Sequence, residues 1–538
     1  MFGLRFSLPL LYLAGRALAI TVTDGDDGSI TIDTESTDGL SATISNTCDF
    51  TSLVYRREEF QYQGAFSHLA SGIDADEVSY KTVDDYVVVT CSAQSADLDV
   101  IQYYVFIDGH DQIYLGTYTY SEPSYGELRF IFRLISDLDL AYPHGNVSDT
   151  RNGTVIEGKD VYIVGSETRS KYYSNDRFID DPVHCAYRAS PAVHACFVKP
   201  VRAYDASSGG PFARDINLNI GPDYHGVTFY MNHGDTEYDP YRQGFHGPYI
   251  FSFTGSGIPK VSDFDTTFFK DVGLEGYVGE SGRGFVKGIA SGTSDDFPTI
   301  LHWYNNEHQQ WVYANDNGSF KSPALVPGEY TQALYQAELL AANFTVVVKA
   351  GTTVTENIAA SNPIITEDRT TIFQIGKYDG LPTGFLNADK QNHMHLSDKR
   401  MGDWDTPTFV VGKSKDVDFP MILLKDVNDA RVIEFNLDAA LNEATTLRIA
   451  TTMAISGGRP GVTLNDFEGK IPSGPPVTPS RGPTKGKTHG DMSVYTYPIP
   501  SGTLVRGKNT LVINVISGSS TEGFLSPSFI VDAIELFY

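Results

Sequence analysis

The sequence has no apolar run long enough to cross a membrane, and it is short of basic residues. Its first apolar run, residues 6–13, falls well below the roughly 20 residues that a membrane helix needs. Lysine and arginine number 40 against 67 aspartates and glutamates, which gives a net charge of −27. Such a balance argues against nucleic acid and anionic membranes as partners. We therefore expect a soluble protein with neither partner.

Cysteine is also scarce, and its spacing argues against a metal site. The chain has four cysteines and no Cys-x-x-Cys pair, so a structural zinc site is not indicated. Four cysteines allow three pairings, and an exported chain usually oxidises an even set. We predict the disulfides Cys48–Cys91 and Cys185–Cys196, because each pair lies within one local region of the chain.

The N-terminus has the pattern of a secretory signal peptide. A short basic region, residues 1–5, precedes the apolar run, and Ala17 and Ala19 supply the small residues that signal peptidase prefers. We predict that residues 1–19 are removed before Ile20 and that the protein is secreted to the extracellular space. Four Asn-x-Ser/Thr sequons are predicted glycosylation sites: Asn146, Asn152, Asn317 and Asn343.

Helical periodicity is scarce as well, and the chain reads as an all-β protein. Short runs rich in Val, Ile, Thr, Tyr and Phe, such as residues 86–91 and 510–515, alternate with turns rich in Gly, Asp, Asn and Ser. Residues 330–342 are the best helical candidate, although their Tyr and Leu content suits strands equally. With 50 glycines and 27 prolines, the sequence predicts sandwiches or barrels.

At 538 residues the chain is too long for one core, and roughly two to four domains are expected. Residues 20–270 hold all four cysteines and form the predicted first domain. Residues 271–362 have the length of a small sandwich and close at the linker Ser361-Asn362-Pro363. Residues 363–538 form a third β unit, interrupted by the loop 469–486, which is rich in Pro, Gly and Ser.

Residues 126–133 alternate apolar and charged side chains. The two-residue period of a strand would place Glu127, Arg129, Ile131 and Arg133 on one face. Two arginines on one face make a natural carboxylate clamp, because the guanidinium group binds carboxylates bidentately. The alternative is a solvated strand in which Glu127 neutralises Arg129.

Two further stretches could carry chemistry. Lys171 follows Arg169 closely and precedes two tyrosines, and nearby positive charge favours the neutral amine that a base requires. Such a lysine can equally be a surface charge. Residues 224–249 mix aromatic side chains with His and Arg, which suits a saccharide groove but also the packed end of a sandwich.

Several motifs, in order, resemble those of fungal rhamnogalacturonan lyases of polysaccharide lyase family four. They are GELRFIFRL, GSETRSKYYSNDRFIDD, SSGGPFARDIN, YRQGFHGPY, SGRG, HWYN, DGLPTGF, SGGRP and VISGSSTEGFLSPSFIVDAIELF. The likeness covers nearly the whole mature chain. It implies a large β-supersandwich, a fibronectin type III-like sandwich and a jelly-roll carbohydrate-binding-like domain. It also implies cleavage of the rhamnose–galacturonate backbone of rhamnogalacturonan I, a pectin, by β-elimination, leaving an unsaturated galacturonate.

The resemblance assigns roles to particular residues. Lys171 matches the catalytic lysine, the base that removes the proton at C5 of galacturonate. Arg129 and Arg133 match substrate-binding arginines, and Tyr230 matches a tyrosine that lines the site. Arg481 resembles an arginine that the third domain contributes to the cleft.

One position departs from the family pattern. Asp235 stands where the family has a catalytic histidine, while His233 lies two residues earlier and would share its face in an extended segment. We predict a catalytic role for His233, with Asp235 orienting it or donating a proton. The alternative is a catalytically impaired homologue that binds pectin. A glycoside hydrolase would need two carboxyl groups in the cleft, and the acidic residues are too numerous to nominate a pair.

No cofactor is required by this chemistry. A structural calcium ion could bind an Asp-rich loop such as Asp403-Trp404-Asp405. We expect a monomer whose partner is the polysaccharide rhamnogalacturonan I.

Overall fold

The all-β prediction is confirmed by the computed structural model, in which strands make up nearly all regular structure. The predicted signal peptide, residues 1–19, lies outside the described residues. The structure describes residues 20–122, 127–146, 150–220, 223–233, 239, 241–391, 394–475, 492–521 and 523–538.

The first domain contains strands β1 to β21, which follow the Val-, Ile-, Thr-, Tyr- and Phe-rich runs of the sequence. In chain order they are β1 Thr21–Asp24, β2 Ile30–Asp33, β3 Ser41–Ile44, β4 Phe50–Tyr55, β5 Glu58–Glu59, β6 His68–Leu69, β7 Glu77–Val83, β8 Tyr86–Gln94, β9 Asp99–Ile107, β10 Gln112–Ser121, β11 Leu128–Ile135, β12 Leu140–Tyr142, β13 Gly145–Asn146, β14 Thr154–Glu157, β15 Val161–Val164, β16 Glu167–Ser170, β17 Val183–Ala189, β18 Ala192–Val198, β19 Leu218–Ile220, β20 Tyr224–Asn232 and β21 Gly244–Thr254.

Within the described residues these strands form four sheets. A five-stranded sheet has the order β1-β2-β3-β4-β5, and a nine-stranded sheet has the order β13-β12-β17-β18-β21-β10-β9-β8-β7. A four-stranded sheet, β19-β20-β11-β6, carries the predicted arginines. Strands β14-β15-β16 form a small separate sheet that precedes Lys171. The candidate site therefore draws on two different sheets.

Aromatic packing joins the four-stranded sheet to the nine-stranded sheet. Phe132 on β11 stacks on Phe251 on β21 with ring centroids 3.6 Å apart, and Phe229 on β20 stacks on Tyr249 at 4.5 Å. Side chains alternate across a strand, so burying Phe130 and Phe132 turns the neighbouring arginines away from this core. The core thereby decides which face of β11 can meet a ligand.

Both predicted disulfides are present. Cys48, just before β4, bonds to Cys91 on β8 and so ties the five-stranded sheet to the nine-stranded sheet. Cys185 and Cys196 are directly opposite each other on the paired strands β17 and β18. The sequence-local pairing is confirmed.

The second domain is a sandwich of two small sheets around Trp303, which is completely buried. One sheet has the order β25-β22-β28 with β29 also paired to β22, and the other has the order β24-β23-β26-β27. The strands are β22 Phe285–Ser291, β23 Thr299–Tyr304, β24 Gln309–Tyr313, β25 Ser319–Lys321, β26 Gly328–Gln336, β27 Leu339–Val348, β28 Thr353–Thr355 and β29 Ile358–Ala359. The helical candidate 330–342 is thus a hairpin of β26 and β27.

The third domain packs two five-stranded sheets face to face. Their orders are β30-β39-β34-β37, with β32 paired to β39, and β31-β33-β38-β35-β36. A single helical turn, α1 Pro363–Thr366, precedes them, and the Asn362 side chain caps it. The strands are β30 Thr371–Gly376, β31 Phe409–Val410, β32 Ile422–Leu424, β33 Arg431–Leu437, β34 Thr445–Ile455, β35 Arg459–Leu464, β36 Phe467–Glu468, β37 Ser493–Ile499, β38 Gly507–Ile516 and β39 Ser528–Phe537.

In the part of the chain that the structure describes, the remaining helical structure consists of short 3₁₀ turns, one of which carries Lys171. These turns are Lys171–Ser174, Phe178–Asp180, Val201–Tyr204, Val261–Asp263, Thr267–Lys270, Glu280–Gly282, Lys399–Met401, Asp416–Asp418 and Gly523–Leu525. None of the helices that the structure describes is long and apolar enough to span a bilayer.

A buried glutamate joins the three domains. Glu338, in the turn between β26 and β27, accepts hydrogen bonds from Arg214 at 2.9 Å and Arg177 at 3.2 Å, both from the first domain. Its own backbone N–H donates to the carbonyl of Asp379 in the third domain at 2.8 Å. A buried carboxylate needs such partners, because leaving its charge uncompensated is strongly destabilising.

Three of the four predicted glycosylation sites, Asn152, Asn317 and Asn343, are exposed. The backbone of Asn146 lies on β13, and its side chain is outside the described structure. The exposed amides are accessible to a glycosyltransferase.

Replacing Cys48 and Cys91 together by Ala should lower the free energy of unfolding of the first domain by about 4 kcal/mol. The loop that this bond closes spans 43 residues, and its loss restores that loop's freedom to the unfolded chain. The matched double variant at Cys185 and Cys196 should lose about 1 kcal/mol less, because its loop spans 11 residues. Denaturant titration measures both values, and equal stability of wild type and the first variant would contradict the expectation.

Candidate active site

The pairing of β11 with β20 sets the polar face of the candidate site. Arg129 lies directly opposite Tyr230, and Arg133 lies opposite Gly226 in the same antiparallel ladder. The two arginines and Tyr230 therefore share one face, as the two-residue period predicts. Glu127 accepts a hydrogen bond from Arg129 Nη1 at 3.0 Å. The internal pairing considered from the sequence thus exists for Arg129.

Arg133 is held in place by first-domain contacts. Its Nη1 donates to the Phe66 carbonyl and to His68 Nε2, the latter at 2.8 Å. His68 lies on β6, and its Nδ1 is 3.2 Å from Asp49 Oδ1. The guanidinium carbon also lies 5.8 Å from the ring centroid of Tyr224. Arg133 is thereby a positioned cation rather than a freely moving one.

Lys171 begins the 3₁₀ turn that follows β16. The Ser170 side chain caps this turn by accepting the Tyr172 N–H at 3.1 Å. The Lys171 N–H donates to the Asp160 carbonyl at 2.9 Å, and Lys171 Nζ lies 3.7 Å from Asp160 Oδ1. Nζ is also 5.8 Å from the ring centroid of Tyr162. About one fifth of the side chain is exposed (21%), so a ligand can reach the amine.

Electrostatic interactions connect the surroundings of Lys171 to the arginine face. Burial raises the pKa of the Tyr230 phenol well above its ordinary value, and the charges of Asp215, Glu127 and Asp160 add to the effect. Asp160, which faces Lys171, is thus among the charges that act on the Tyr230 phenol. The phenol keeps its proton at neutral pH and can donate a hydrogen bond to an anion.

His233 lies beside Tyr230 and is completely buried. Its Nδ1 is 2.8 Å from Asp215 Oδ2, its ring stacks on Tyr230 at 5.6 Å, and its N–H donates to Ser208 Oγ at 3.1 Å. The acceptor Asp215 places a proton on Nδ1. Nε2 makes no hydrogen bond with any described residue. A histidine oriented by a carboxylate is the usual arrangement for proton transfer.

Two predicted site residues, Asp235 and Arg481, lie outside the described residues. Arg129, Arg133 and Tyr230 share one face of the four-stranded sheet, and His233 stacks on Tyr230. The turn that Lys171 begins is bonded to β19 of the same sheet, where the Leu218 N–H donates to Ser174 Oγ at 2.9 Å.

The segment Ser207–Asn217 belongs to the motifs that resemble the family, but no role was predicted for its residues. In the structure Ser208 and Asp215 hold His233, while Asn217 Nδ2 donates to the Ser174 carbonyl at 3.1 Å, at the end of the turn that Lys171 begins. Asp160 and Tyr162 were also missed, because only the hairpin of β15 and β16 brings them next to Lys171.

Family models match the chain along most of its length. Residues 21–276 match the model described as rhamnogalacturonan lyase B, N-terminal. Residues 282–356 match polysaccharide lyase family 4, domain II, and residues 371–536 match domain III of that family.

Curated relatives are similar over their full length. Rhamnogalacturonate lyase A of Aspergillus aculeatus is 46% identical over 527 residues, covering 98% of this chain and 97% of its own. Probable rhamnogalacturonate lyase A of Aspergillus flavus is 46% identical over 534 residues, covering 99% and 98%. A putative rhamnogalacturonase of Neurospora crassa is 42% identical over 545 residues, covering 100% and 99%. The chain belongs to polysaccharide lyase family 4. The resemblance drawn from the motifs is confirmed.

A buried ion pair lies behind the site of the lyase. Lys199 Nζ donates to Asp181 Oδ2, which also accepts from Asn217 Nδ2 at 2.8 Å, and His184 Nδ1 lies 3.2 Å from it. Burial alone would raise the pKa of Asp181, but the charges and hydrogen bonds of Lys199 and His184 together outweigh it and hold that pKa below its ordinary value. Because Asn217 also holds Ser174, the ionised Asp181 supports the turn that carries Lys171.

The Asp-rich loop of the lyase proposed for calcium has a cationic neighbour. Asp405 Oδ1 accepts from Arg431 Nη1 at 2.9 Å, and Asp403 Oδ1 accepts the Asp405 N–H at 2.9 Å. Among the described residues, no three His, Cys, Asp or Glu side chains are grouped so as to hold a metal ion.

Replacing Lys199 by Met should lower the free energy of unfolding of the lyase by about 3–5 kcal/mol at neutral pH, because it removes the cation that is paired with the buried Asp181 carboxylate. In the wild type the folded-state pKa of Asp181 is depressed, so this pair stabilises the fold above the ordinary carboxyl pKa and less as pH falls. In the variant, acid neutralises the stranded carboxylate. The stability difference should therefore shrink at about pH 4.

Denaturant titration at both pH values tests this, with Lys270→Met as the control. Lys270 forms an exposed pair with Asp271, and its loss should change stability little at either pH. A Lys199→Met deficit that is negligible at neutral pH, or that grows in acid, would contradict the role given to Asp181.

Proposed function

We propose that the lyase cleaves the rhamnose–galacturonate backbone of rhamnogalacturonan I by β-elimination. The observation that carries this proposal is a solvent-accessible lysine, Lys171, whose turn is bonded to the sheet that bears Arg129, Arg133 and a protonated Tyr230. This is the set of groups that abstraction of a proton next to a carboxylate requires. The relatives named rhamnogalacturonate lyases supply the substrate class.

The arginines bind the galacturonate carboxylate and stabilise the charge that develops on it. Arg129 and Arg133 are four residues apart on one face of β11, about 13 Å between Cα atoms, and we place the carboxylate between their side chains. Removing the C5 proton spreads negative charge into the carboxylate. The positioned arginines and the Tyr230 hydroxyl stabilise the transition state, in which this charge has developed, more than they stabilise the bound substrate. This difference accelerates the reaction.

Lys171 is the proposed base. Its Nζ, acting as the neutral amine, takes the C5 proton. The electron pair of that bond forms the C4–C5 double bond, and the C4–oxygen bond to rhamnose breaks. No water is consumed, and the new sugar end is unsaturated. Asp160, 3.7 Å from Nζ, stabilises the ammonium group that results.

His233 is the proposed source of the proton that the departing oxygen requires. Asp215 fixes the orientation of the ring. The step requires the imidazolium form, whose Nε2–H donates the proton while Nδ1–H stays bonded to Asp215. The ring is buried, but it stacks on Tyr230, which lies on the substrate face. Asp235 remains the second candidate for this role.

The proposal includes secretion, action as a monomer and glycosylation at the exposed sequons. The signal-peptide pattern of residues 1–19 and the exposure of Asn152, Asn317 and Asn343 support it. The proposed chemistry uses only protein side chains and needs no cofactor.

Replacing Lys171 by Ala should lower kcat by about 10²–10⁴-fold, because general-base catalysis is lost while the fold remains. The assay is the ultraviolet absorbance of unsaturated uronate formed from deacetylated rhamnogalacturonan. Lys287→Ala, at an exposed position of β22, is the control and should match the wild type. Near-normal turnover of Lys171→Ala would remove this lysine from the role of base. A flat trace for a wild type that still binds the polysaccharide would favour the impaired, pectin-binding alternative.

Replacing Asp215 by Asn should lower kcat by roughly as much as His233→Asn, about 10²-fold or more, because both disable one proton-transferring pair. The double variant should be little worse than either single variant, since groups that act as a unit are not additive. Asp235→Asn, measured beside them, should retain more activity. If the two losses multiply in the double variant, or if Asp235→Asn loses more activity, His233 is not the donor of the proton to the departing oxygen.

A further inference from the structure

The small sheet that leads to Lys171 has little core of its own. We refer to residues 154–170, strands β14 to β16, as the arm; all of it is described. Its outer face exposes Val155 (47%) and Ile163 (41%). The buried side chains of the arm are Glu157, Val161, Thr168 and Ser170. An element with so few buried apolar groups opens easily unless something else holds it.

A segment of the third domain, residues 394–401, binds the arm at Thr168. Asp398 Oδ2 accepts from the Thr168 N–H at 2.8 Å and from its Oγ1 at 2.6 Å. Arg400 Nη2 donates to the Thr168 carbonyl at 2.9 Å, and the His395 N–H donates to Thr168 Oγ1 at 3.3 Å. Every polar group of this one threonine is therefore bound by the third domain.

The same segment binds the arm a second time at Glu157. His395 Nε2 lies 3.1 Å from Glu157 Oε2, and both side chains are completely or almost completely buried. The Ser397 N–H donates to His395 Nδ1 at 3.1 Å, so Nε2 carries the proton that Glu157 accepts. Half of the buried side chains of the arm thus meet the third domain.

The third-domain side of this contact is rigid. Arg400 Nε and Nη2 donate to the two carboxylate oxygens of Asp398 at 2.9 and 2.7 Å, and the Arg400 N–H donates to Asp398 Oδ1 at 2.8 Å. Burial opposes ionisation of Asp398, but the hydrogen bonds from Arg400 and Thr168 outweigh it and hold the pKa of this carboxyl below its ordinary value. Because Arg400 holds the Asp398 carboxylate in one orientation, Asp398 in turn holds Thr168 in place.

The arm in turn fixes Lys171. Thr168 lies three residues before Lys171, and Ser170 caps the turn that Lys171 begins. Asp160, in the turn between β14 and β15, accepts the Lys171 N–H through its carbonyl and faces Nζ with its carboxylate. A displacement of the arm would move the amine relative to the arginines, which belong to a different sheet.

We propose that residues 394–401 are a latch through which the third domain positions Lys171 for proton abstraction. His395, Asp398 and Arg400 act as positioning residues, through Glu157 and Thr168, and need not touch substrate. The inference rests on the proposed function, because it assumes that Lys171 is the base. A base displaced by about 1 Å can lose about 10²-fold in rate while binding is kept.

The test compares kcat and KM of Thr168→Val with those of wild type, using absorbance of the unsaturated product. Valine has the shape of threonine but lacks the hydroxyl that contacts Asp398 and His395. We expect kcat to fall about 10–100-fold with KM within about twofold. Thr168→Ser, which restores the hydroxyl, should recover most of kcat. Val155→Thr makes the reverse exchange at an exposed arm position and should match the wild type.

A second pair of variants guards against a local folding defect. Glu157→Leu removes the acceptor for His395 and should behave like Thr168→Val, whereas Glu157→Gln keeps an acceptor and should stay near wild type. Hydrogen exchange of the arm amides should accelerate in Thr168→Val and Glu157→Leu, with the unfolding temperature little changed.

Each other outcome overturns the latch. Wild-type kcat in Thr168→Val and Glu157→Leu, with faster exchange in the arm, would show that the latch does not position Lys171. Loss of kcat, binding and unfolding temperature together would show that the contact serves stability alone. Failure of the proposed function is seen separately, because the wild-type protein would then form no unsaturated product.

Discussion

The candidate site depends on the buried ion pair and hydrogen bonds of the ionised Asp181. It is buried with Lys199, and it binds the Asn217 side chain, which also donates to the Ser174 carbonyl. The next residue, Leu218, begins β19, whose pairing with β20 leads to Tyr230. Asn217, held by the buried Asp181 carboxylate, therefore joins the turn that carries Lys171 to the sheet that carries the arginines.

The sheet topology explains why such a connection between the turn and the sheet is needed. Strands β14 to β16 and the sheet β19-β20-β11-β6 share no ladder among the described residues. Ladder hydrogen bonds therefore do not set the distance between Lys171, the proposed base, and the two arginines. Side-chain contacts do so instead, with Asp181 and Asn217 on one side and the third-domain segment 394–401 on the other. Glu338 ties the second domain to both neighbours. The three domains therefore act as one support for the proposed catalytic groups, and they do so within a chain whose net charge is −27.

Features governed by short-range patterns were predictable from the sequence. The alternation in β11 indicated that Arg129 and Arg133 share a face, because the strand period is local, and the cysteines paired within their own regions. The motif resemblance indicated Lys171 and Tyr230. Residues 330–342 were ambiguous, since Tyr and Leu suit both a helix and the observed hairpin.

Contacts that depend on tertiary pairing could not be predicted. Asp215 meets His233 across 18 residues, and Asp398 meets Thr168 across 230. No periodicity signals such pairs, and nothing distinguishes Asp181 from the many acidic residues of the chain until its burial is known.

The most direct measurement of the central claim is a crystal structure of Lys171→Ala with an uncleaved rhamnogalacturonan oligosaccharide bound. The account predicts a galacturonate carboxylate between Arg129 and Arg133, with its C5 hydrogen directed at the space that Nζ leaves. It also predicts that the glycosidic oxygen faces Tyr230 and His233. A carboxylate bound away from both arginines, or a C5 hydrogen directed away from residue 171, would contradict it.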